Sequence, residues 1–262
     1  MEIRRCTMAG MFYPGEPGHL EQVLGMFFTK QGEQLHPLGI IVPHAGYPYS
    51  GAVAARGYST IDPGFAGTFI IIGPSHRGYR TCVSALPWET PLGILTNDEE
   101  LSLALELPVD EAAHQDDENS LETQMPLIKY RFPRARITPI LMGDQSAEEA
   151  ERLSGLILRA IQKTKRDVVI VASSDFSHYI PKNTAEKIDA EAIKPILSLD
   201  TDAFYKTIRE LGVSACGVGP IAAMLRATGD LGAEKGILLT YMTSGDVTGD
   251  PEVVGYAAIA VV

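Results

Sequence analysis

Several features that would assign this chain to a functional class at a glance are missing. The three cysteines, Cys6, Cys82 and Cys216, are odd in number, far apart and form no CxxC pair. That argues against a disulfide framework and against a zinc ribbon. Basic residues are outnumbered, 22 against 33 acidic, giving a net charge of −11. Affinity for phosphate backbones comes mostly from Lys and Arg, so neither a nucleic acid nor an anionic membrane is expected as a partner. No apolar stretch reaches transmembrane length, and no basic segment followed by an apolar run opens the chain. The expectation is a cytoplasmic protein. There is no P-loop, no G-x-G-x-x-G after a strand and no G-x-S-x-G elbow, although Ser75, Ser173, Ser174 and Ser177 are available. Nucleotide binding and an elbow-type serine hydrolase are therefore unsupported.

What is present is an ordinary globular composition, 45% hydrophobic and 21% charged over 262 residues. That length fits one large α/β domain or two small ones. No repeat, low-complexity tract or strong linker divides the chain, so a single domain over residues 1–262 is expected.

The most informative pattern is a trio of apolar runs that each break into a histidine-bearing turn. They are GIIVPHAGYPYSG (Gly39–Gly51), TFIIIGPSHRGY (Thr68–Tyr79) and VVIVASSDFSHY (Val168–Tyr179). Branched aliphatic runs of this kind read as strands buried on both faces, the mark of a parallel sheet. Ligands of such sheets bind beyond the carboxyl ends of the strands, where His44, His76 and His178 fall.

The remaining pattern alternates. A turn-rich arm over residues 1–17 is expected to dock Met11, Phe12 and Tyr13 on the body. Helices are expected at His19–Phe28, Ser50–Tyr58, Asp98–Glu106 (capped by Asn97), Leu121–Phe132 (broken or started near Pro126), Ala147–Lys163, Thr184–Ser198, Thr201–Leu211 and Gly219–Thr228. Further strands are expected at Ile137–Met142, Ile237–Thr243 and Val254–Val262, with a hairpin or irregular excursion over Cys82–Thr96. Glu111–Glu118 reads as a polar loop, and its acidic run Asp116-Asp117-Glu118 as a solvated one. The fold class is α/β, with a central mostly parallel or mixed sheet flanked by helices.

His44 and His76 follow neighbouring strands, and two imidazoles so placed can approach one divalent metal such as Fe, Cu, Zn or Ni. Singly, each would more often be a hydrogen-bonded turn residue. Cys216, in SACGVGPIAAML, sits where a helix begins, which favours a thiolate ligand or nucleophile. The alternative is a small buried hydrophobe. Asp175 and His178 are three apart, and a helical turn would put them on one face, Asp175 orienting His178 as a general acid/base. An Asx-type cap serves Asp175 equally well. Glu122 could face the site or simply favour a helix start. Tyr47 and Tyr49 could line a pocket rim or pack beneath the turn.

These segments, together with R-x₃-AG-x-FYP (Arg5–Pro14), NSLETQMP (Asn119–Pro126) and CGVGP (Cys216–Pro220), resemble the Memo family (mediator of cell motility). Its prokaryotic members are called AmmeMemoRadiSam system protein B. The family is similar in fold to the LigB-like class III extradiol dioxygenases, which hold non-haem Fe(II) on two histidines and a carboxylate. The resemblance implies that His44, His76 and Cys216 hold a divalent metal. It implies Fe(II) first, with Cu or Zn as alternatives. It implies a proton-handling role for His178 beside Asp175, and pocket positions for Tyr47, Tyr49, Ser75, Asn119 and Glu122. A histidine is common in the family where this chain has Asn119. A thiolate in place of the carboxylate is softer, oxidisable and removes the licence for ordinary dioxygenase chemistry.

Three functions follow as expectations. The first is a metal-dependent oxidoreductase. The second is a non-catalytic module that binds a peptide or small ligand in a vestigial pocket. The third is a component of a modification system with AMMECR1-like and radical SAM partners.

Overall fold

The structure, a computed structural model, describes residues 2–29, 33–116 and 118–262. In chain order it runs α1 (Pro17–Phe27), β1 (Gly39–Val42), α2 (Tyr47–Tyr58), β2 (Thr68–Pro74), β3 (Cys82–Val83), β4 (Trp88–Thr90) and β5 (Gly93–Asn97). It continues α3 (Glu99–Ala104), α4 (Glu111–Gln115), α5 (Asn119–Glu122), α6 (Gln124–Arg131), β6 (Arg136–Met142), α7 (Ala147–Thr164) and β7 (Val168–Ser173). The last part is β8 (Ile180–Pro181), α8 (Lys182–Leu197), α9 (Thr201–Leu211), α10 (Val218–Asp230), β9 (Gly236–Thr243), α11 (Gly245–Thr248), β10 (Glu252–Val253) and β11 (Gly255–Val261).

The main sheet has the order β4-β5-β6-β2-β7-β1-β11-β9, with β3 also on β6. Strands β5, β6, β2, β7 and β1 run parallel. Antiparallel strands β11, β9, β4 and β3 complete it, so the sheet is mixed and the fold is a single α/β domain. The three histidine-terminated strands are neighbours, β2-β7-β1. Val42 pairs with Ser173 and Ile72 with Ala172, so all three end at one edge of the sheet.

The strands are buried on both faces because side chains alternate between two cores. Ile40, Val42, Phe69, Ile71, Val169 and Val171 pack against Leu20, Leu24, Ala54, Tyr58 and Ile128 of α1, α2 and α6. Ile41, Ile70, Ile72 and Ile170 pack against Leu153, Ile157, Ile221 and Leu225 of α7 and α10. Each such side chain removed from water stabilises the fold by about 1.5–3 kcal/mol. Among the described residues, no helix is long and apolar enough to cross a membrane.

Several local expectations need correcting. Asp98, not Asn97, caps α3, accepting from the Leu101 N–H; Asn97 ends β5 and donates to the Ser84 carbonyl. Residues 111–115 are helical because Asp110 caps them through the Ala113 N–H. The Leu121–Phe132 stretch divides at Thr123 rather than Pro126, which lies inside α6. Met11 is 68% exposed, whereas Tyr13 docks as expected. The SSDFSH turn is not helical, so the three-residue spacing does not stack Asp175 on His178. In the acidic run, Glu118 is 1% exposed and far from solvated; Asp117 lies outside the described residues.

Candidate metal centre

The site sits at the carboxyl ends of β1, β2 and β7, closed from the side by the entry to α10. One donor atom from each of His44, His76 and Cys216 lies within 4.8 Å of the other two. Asp175, His178 and Cys216 form a second such group, sharing the sulfur.

Each histidine is held through Nδ1. The Ser173 hydroxyl donates to the Ser120 carbonyl at 2.6 Å, so its oxygen has only lone pairs left to offer. Those accept from Gln124 Nε2 at 3.1 Å and from His44 Nδ1 at 2.9 Å. Gln124 is itself fixed, with its Nε2 also donating to the Pro43 carbonyl and its Oε1 accepting from Tyr58. His44 is therefore the Nδ1–H tautomer, and its Nε2 lone pair faces Cys216 Sγ at 3.2 Å. His76 donates both Nδ1–H and its backbone N–H to Glu118, each at 2.8 Å. His178 donates Nδ1–H to the Ser214 carbonyl at 2.9 Å, and its backbone N–H to Ser214 Oγ. With Nδ1 engaged in all three, the Nε2 lone pairs are what remains for a ligand or a proton.

Cys216 is fixed by a tight turn. Its backbone N–H donates to the Asp175 carbonyl, and its sulfur accepts from the Asp175 N–H at 3.2 Å. Gln145 clamps the turn, donating to the Cys216 carbonyl and accepting from the Gly219 N–H. Position 217 must be glycine, because a Cβ there would stand 2.6 Å from the Ser173 carbonyl oxygen.

Burial dominates the electrostatics. It pulls the His44 pKa down against the nearby Asp175 carboxylate, keeping the imidazole neutral. It pushes the Cys216 thiol up, and Asp175 reinforces the rise. The expected helix-entry thiolate is thus corrected. Without a cation Cys216 is a thiol whose S–H can donate to His44 Nε2, and a bound cation is what would ionise it. The Glu118 hydrogen bond raises the His76 pKa against burial.

Not every expected pocket residue is where the sequence placed it. Asp175 does not hydrogen-bond His178; its Oδ1 accepts the His44 backbone N–H at 2.9 Å, and Ser214 orients His178 instead. Glu122 is fully buried away from the site, binding Arg4, Thr7, Met8 and Tyr13 of the arm. Tyr47 packs beneath the turn and donates to the Thr123 carbonyl. Ser75 Oγ caps a turn by accepting from the Tyr79 N–H. Tyr49 and Asn119 do line the cavity, with Asn119 donating to the His44 carbonyl. Residues the sequence reasoning passed over are Glu118, Gln124, Gln145 and Ser214, together with Ser173, weighed only as a nucleophile. The one available signal was that Glu118 and Gln124 fall in or beside NSLETQMP.

A cavity of about 960 Å³ opens over the site. His44, His76, Asp175 and His178 contribute to its lining, with aromatic walls from Phe12, Tyr49, Tyr179 and Tyr256. Two imidazole lone pairs and one sulfur form a donor set suited to Zn, Cu or Fe and poorly suited to Mg or Ca.

The family model described as Memo-like protein matches residues 4–260. A MEMO1 family protein from Methanosarcina barkeri is 43% identical over 267 residues, covering 99% of this chain and all of that protein. One from Methanothermobacter thermautotrophicus is 40% identical over 277 residues, covering 98% of this chain and all of its own length. Among solved structures, the uncharacterized protein JW3007 from Escherichia coli K12 has a TM-score of 0.47 at 13% identity, covering 84% of this chain and 98% of that one. With the family pattern running from the arm that binds Glu122 to the last strand of the sheet, the chain belongs to the Memo family.

Proposed function

We propose that the protein is a metal-dependent redox protein whose ion is held by His44, His76 and Cys216, with His178 handling protons. The observation that carries this reading is the convergence of three donor atoms within 4.8 Å at the edge of a rigid sheet. Fe(II) is the first candidate, with Cu or Zn as alternatives. When bound, such an ion supplies Lewis acidity and, for Fe or Cu, one-electron redox chemistry.

The chain's own residues divide the remaining work. Ser173 and Glu118 fix the rings of His44 and His76 from behind. Such outer partners set both ring orientation and ligand basicity. Ser214 fixes His178 so that Nε2 can take or give a proton. Phe12, Tyr49 and Tyr256 seat the apolar part of a ligand and displace water.

The test is metal analysis of protein purified under anaerobic, reducing conditions. One transition-metal ion per chain is expected, falling to a small fraction in His44→Ala. Absence of a stoichiometric metal in the parent protein would sink the reading. In that case the breadth of the aromatic cavity favours the second reading, a non-catalytic small-ligand or peptide binder. Association with AMMECR1-like and radical SAM proteins belongs to the proposal too, and co-purification from the native host tests it.

A further inference from the structure

The cavity over the metal centre has a charge pattern that the metal does not explain. Among the described residues that line it, three are histidines and none is a lysine or arginine. Three carboxylates are: Asp175 on the inner side, and Asp250 and Glu252 on the segment around β10. Among the described residues neither Asp250 nor Glu252 has an ion-pair partner. Lys182, whose backbone N–H donates to the Pro251 carbonyl, pairs its ammonium with Asp246 and Glu186 instead.

The same cavity is lined by the aromatic rings of Phe12, Tyr49, Tyr179 and Tyr256. Tyr256 is buried, while Tyr49 and Tyr179 are 42% and 76% exposed at the opening. Tyr256 stands close enough to Asp175, Tyr179 and Tyr49 that, with burial, their charges raise its pKa. Aromatic faces carry negative quadrupoles, and carboxylates carry full negative charge, so both favour a cation.

We propose that the ligand of this cavity is a small arylalkylamine, with its ammonium at Asp250 and Glu252 and its ring between Phe12, Tyr49, Tyr179 and Tyr256. The inference rests on reading the cavity as the ligand site of the proposed redox centre. It does not need the metal to be present. It disfavours an anionic occupant such as a phosphorylated tyrosine, which would meet three carboxylates and no guanidinium or ammonium.

The test is calorimetric titration of the full chain, metal-loaded and metal-depleted, with tyramine, the matching hydroxyphenyl carboxylate and phosphotyrosine. Tyramine is expected to bind about tenfold or more tightly than either acid, because the carboxylates that attract its ammonium repel an anion. The Asp250→Asn, Glu252→Gln double variant alters only exposed residues, and is expected to bring tyramine down to the affinity of the carboxylate. Equal or tighter binding of either acid, or tyramine binding unchanged in the double variant, overturns the inference. An unblocked tyrosyl tripeptide that outcompetes tyramine overturns the small-amine assignment and places the ammonium on a peptide end. Amine preference in a protein that takes up no metal removes the redox reading and supports this one. Metal uptake without amine preference does the reverse.

Discussion

His76 and Glu118 meet through two hydrogen bonds of 2.8 Å, one from the ring Nδ1 and one from the backbone N–H. The carboxylate is almost wholly buried and also accepts the Ser120 N–H at the start of α5. One side chain therefore fixes a candidate metal ligand, the end of β2 and the start of the next helix. Burial alone would raise the Glu118 pKa, but the bonds from His76 and Ser120 hold it below the usual carboxylate range. It stays ionised, and so holds His76 in the Nδ1–H form.

Glu118→Gln tests this hold with little change of shape. One amide oxygen can still accept, but the amide nitrogen cannot, so one of the two bonds from His76 is lost. Metal affinity is expected to fall about 10–100-fold, the usual cost of removing such an outer partner. Competition with a chromophoric chelator measures it, while far-ultraviolet circular dichroism checks that the fold is kept. Unchanged affinity would mean that His76 is not a ligand or that Glu118 does not orient it.

Metal uptake is expected to release protons in a pH-dependent number. At neutral pH His44 is neutral and Cys216 is a thiol, so binding at the sulfur expels about one proton. The raised pKa of His76 adds a second competitor. As pH falls through that raised value, Nε2 becomes protonated, and the count is expected to climb towards about two per ion. The sign for stability differs between the partners. His76's contribution is complete below its unfolded pKa and is lost as pH rises through the folded one. Glu118's is present above its unfolded pKa and lost as pH falls through its lowered one. Calorimetry in buffers of different ionisation enthalpy gives the proton count. A count that stays constant across the histidine range would contradict the assignment of His76.

The parts of this site that were legible in the sequence are those written in local pattern. An apolar branched run ending in Pro-His or Pro-Ser-His marks a buried strand and its carboxyl end without help from the rest of the chain. Cys216 was legible through its glycine- and proline-bearing turn. Glu118 was not, because an acidic run is normally solvated, and only the fold brings β2 over it. Glu122 was read towards the pocket, yet its partners come from the arm, whose Arg4 is 118 residues away in sequence. The role of Asp175 depended on whether the turn after β7 is helical. It is not, and the carboxylate turns to the His44 backbone.

The arm offers a separate prediction. Glu122 is fully buried, and its two oxygens receive Arg4, the Thr7 and Met8 N–H groups, and the Thr7 and Tyr13 hydroxyls. Glu122→Ala leaves the Arg4 charge buried and unpaired, at an expected cost of about 3–5 kcal/mol. It also frees the segment that brings Phe12 to the cavity wall and whose Phe12 carbonyl accepts the Tyr47 N–H. Urea unfolding measures the cost, and limited proteolysis of the arm reports the release. A loss inside the ordinary surface range of about 0.5 kcal/mol would refute the pinning role.

Asp189, on α8, does for the His178 turn what Glu118 does for His76. It is fully buried; Oδ1 accepts the Ser177 hydroxyl and backbone N–H, and Oδ2 accepts the Tyr241 hydroxyl at 2.7 Å. Gly255 lets it approach, since a Cβ there would stand 2.2 Å from Oδ2. Burial raises its pKa, although the bonds from Ser177 and Tyr241 oppose the rise. A carboxyl group with a raised folded pKa binds more protons folded than unfolded. Its contribution to stability therefore falls as pH rises from the unfolded to the folded value, and is constant above that. Asp189→Asn keeps an acceptor for Ser177 and offers an N–H to the Tyr241 oxygen, so it is expected to remove that slope while preserving the turn. Asp189→Ala orphans the Ser177 and Tyr241 donors, at about 1–3 kcal/mol for each buried group. It is also expected to shift the His178 ring signals in a nuclear magnetic resonance titration, leaving those of His44 in place. Stability measured by urea at a series of pH values separates the two variants. An Asn variant that keeps the wild-type slope, or an Ala variant with an undisturbed His178, would show that the turn is held by Ser214 alone.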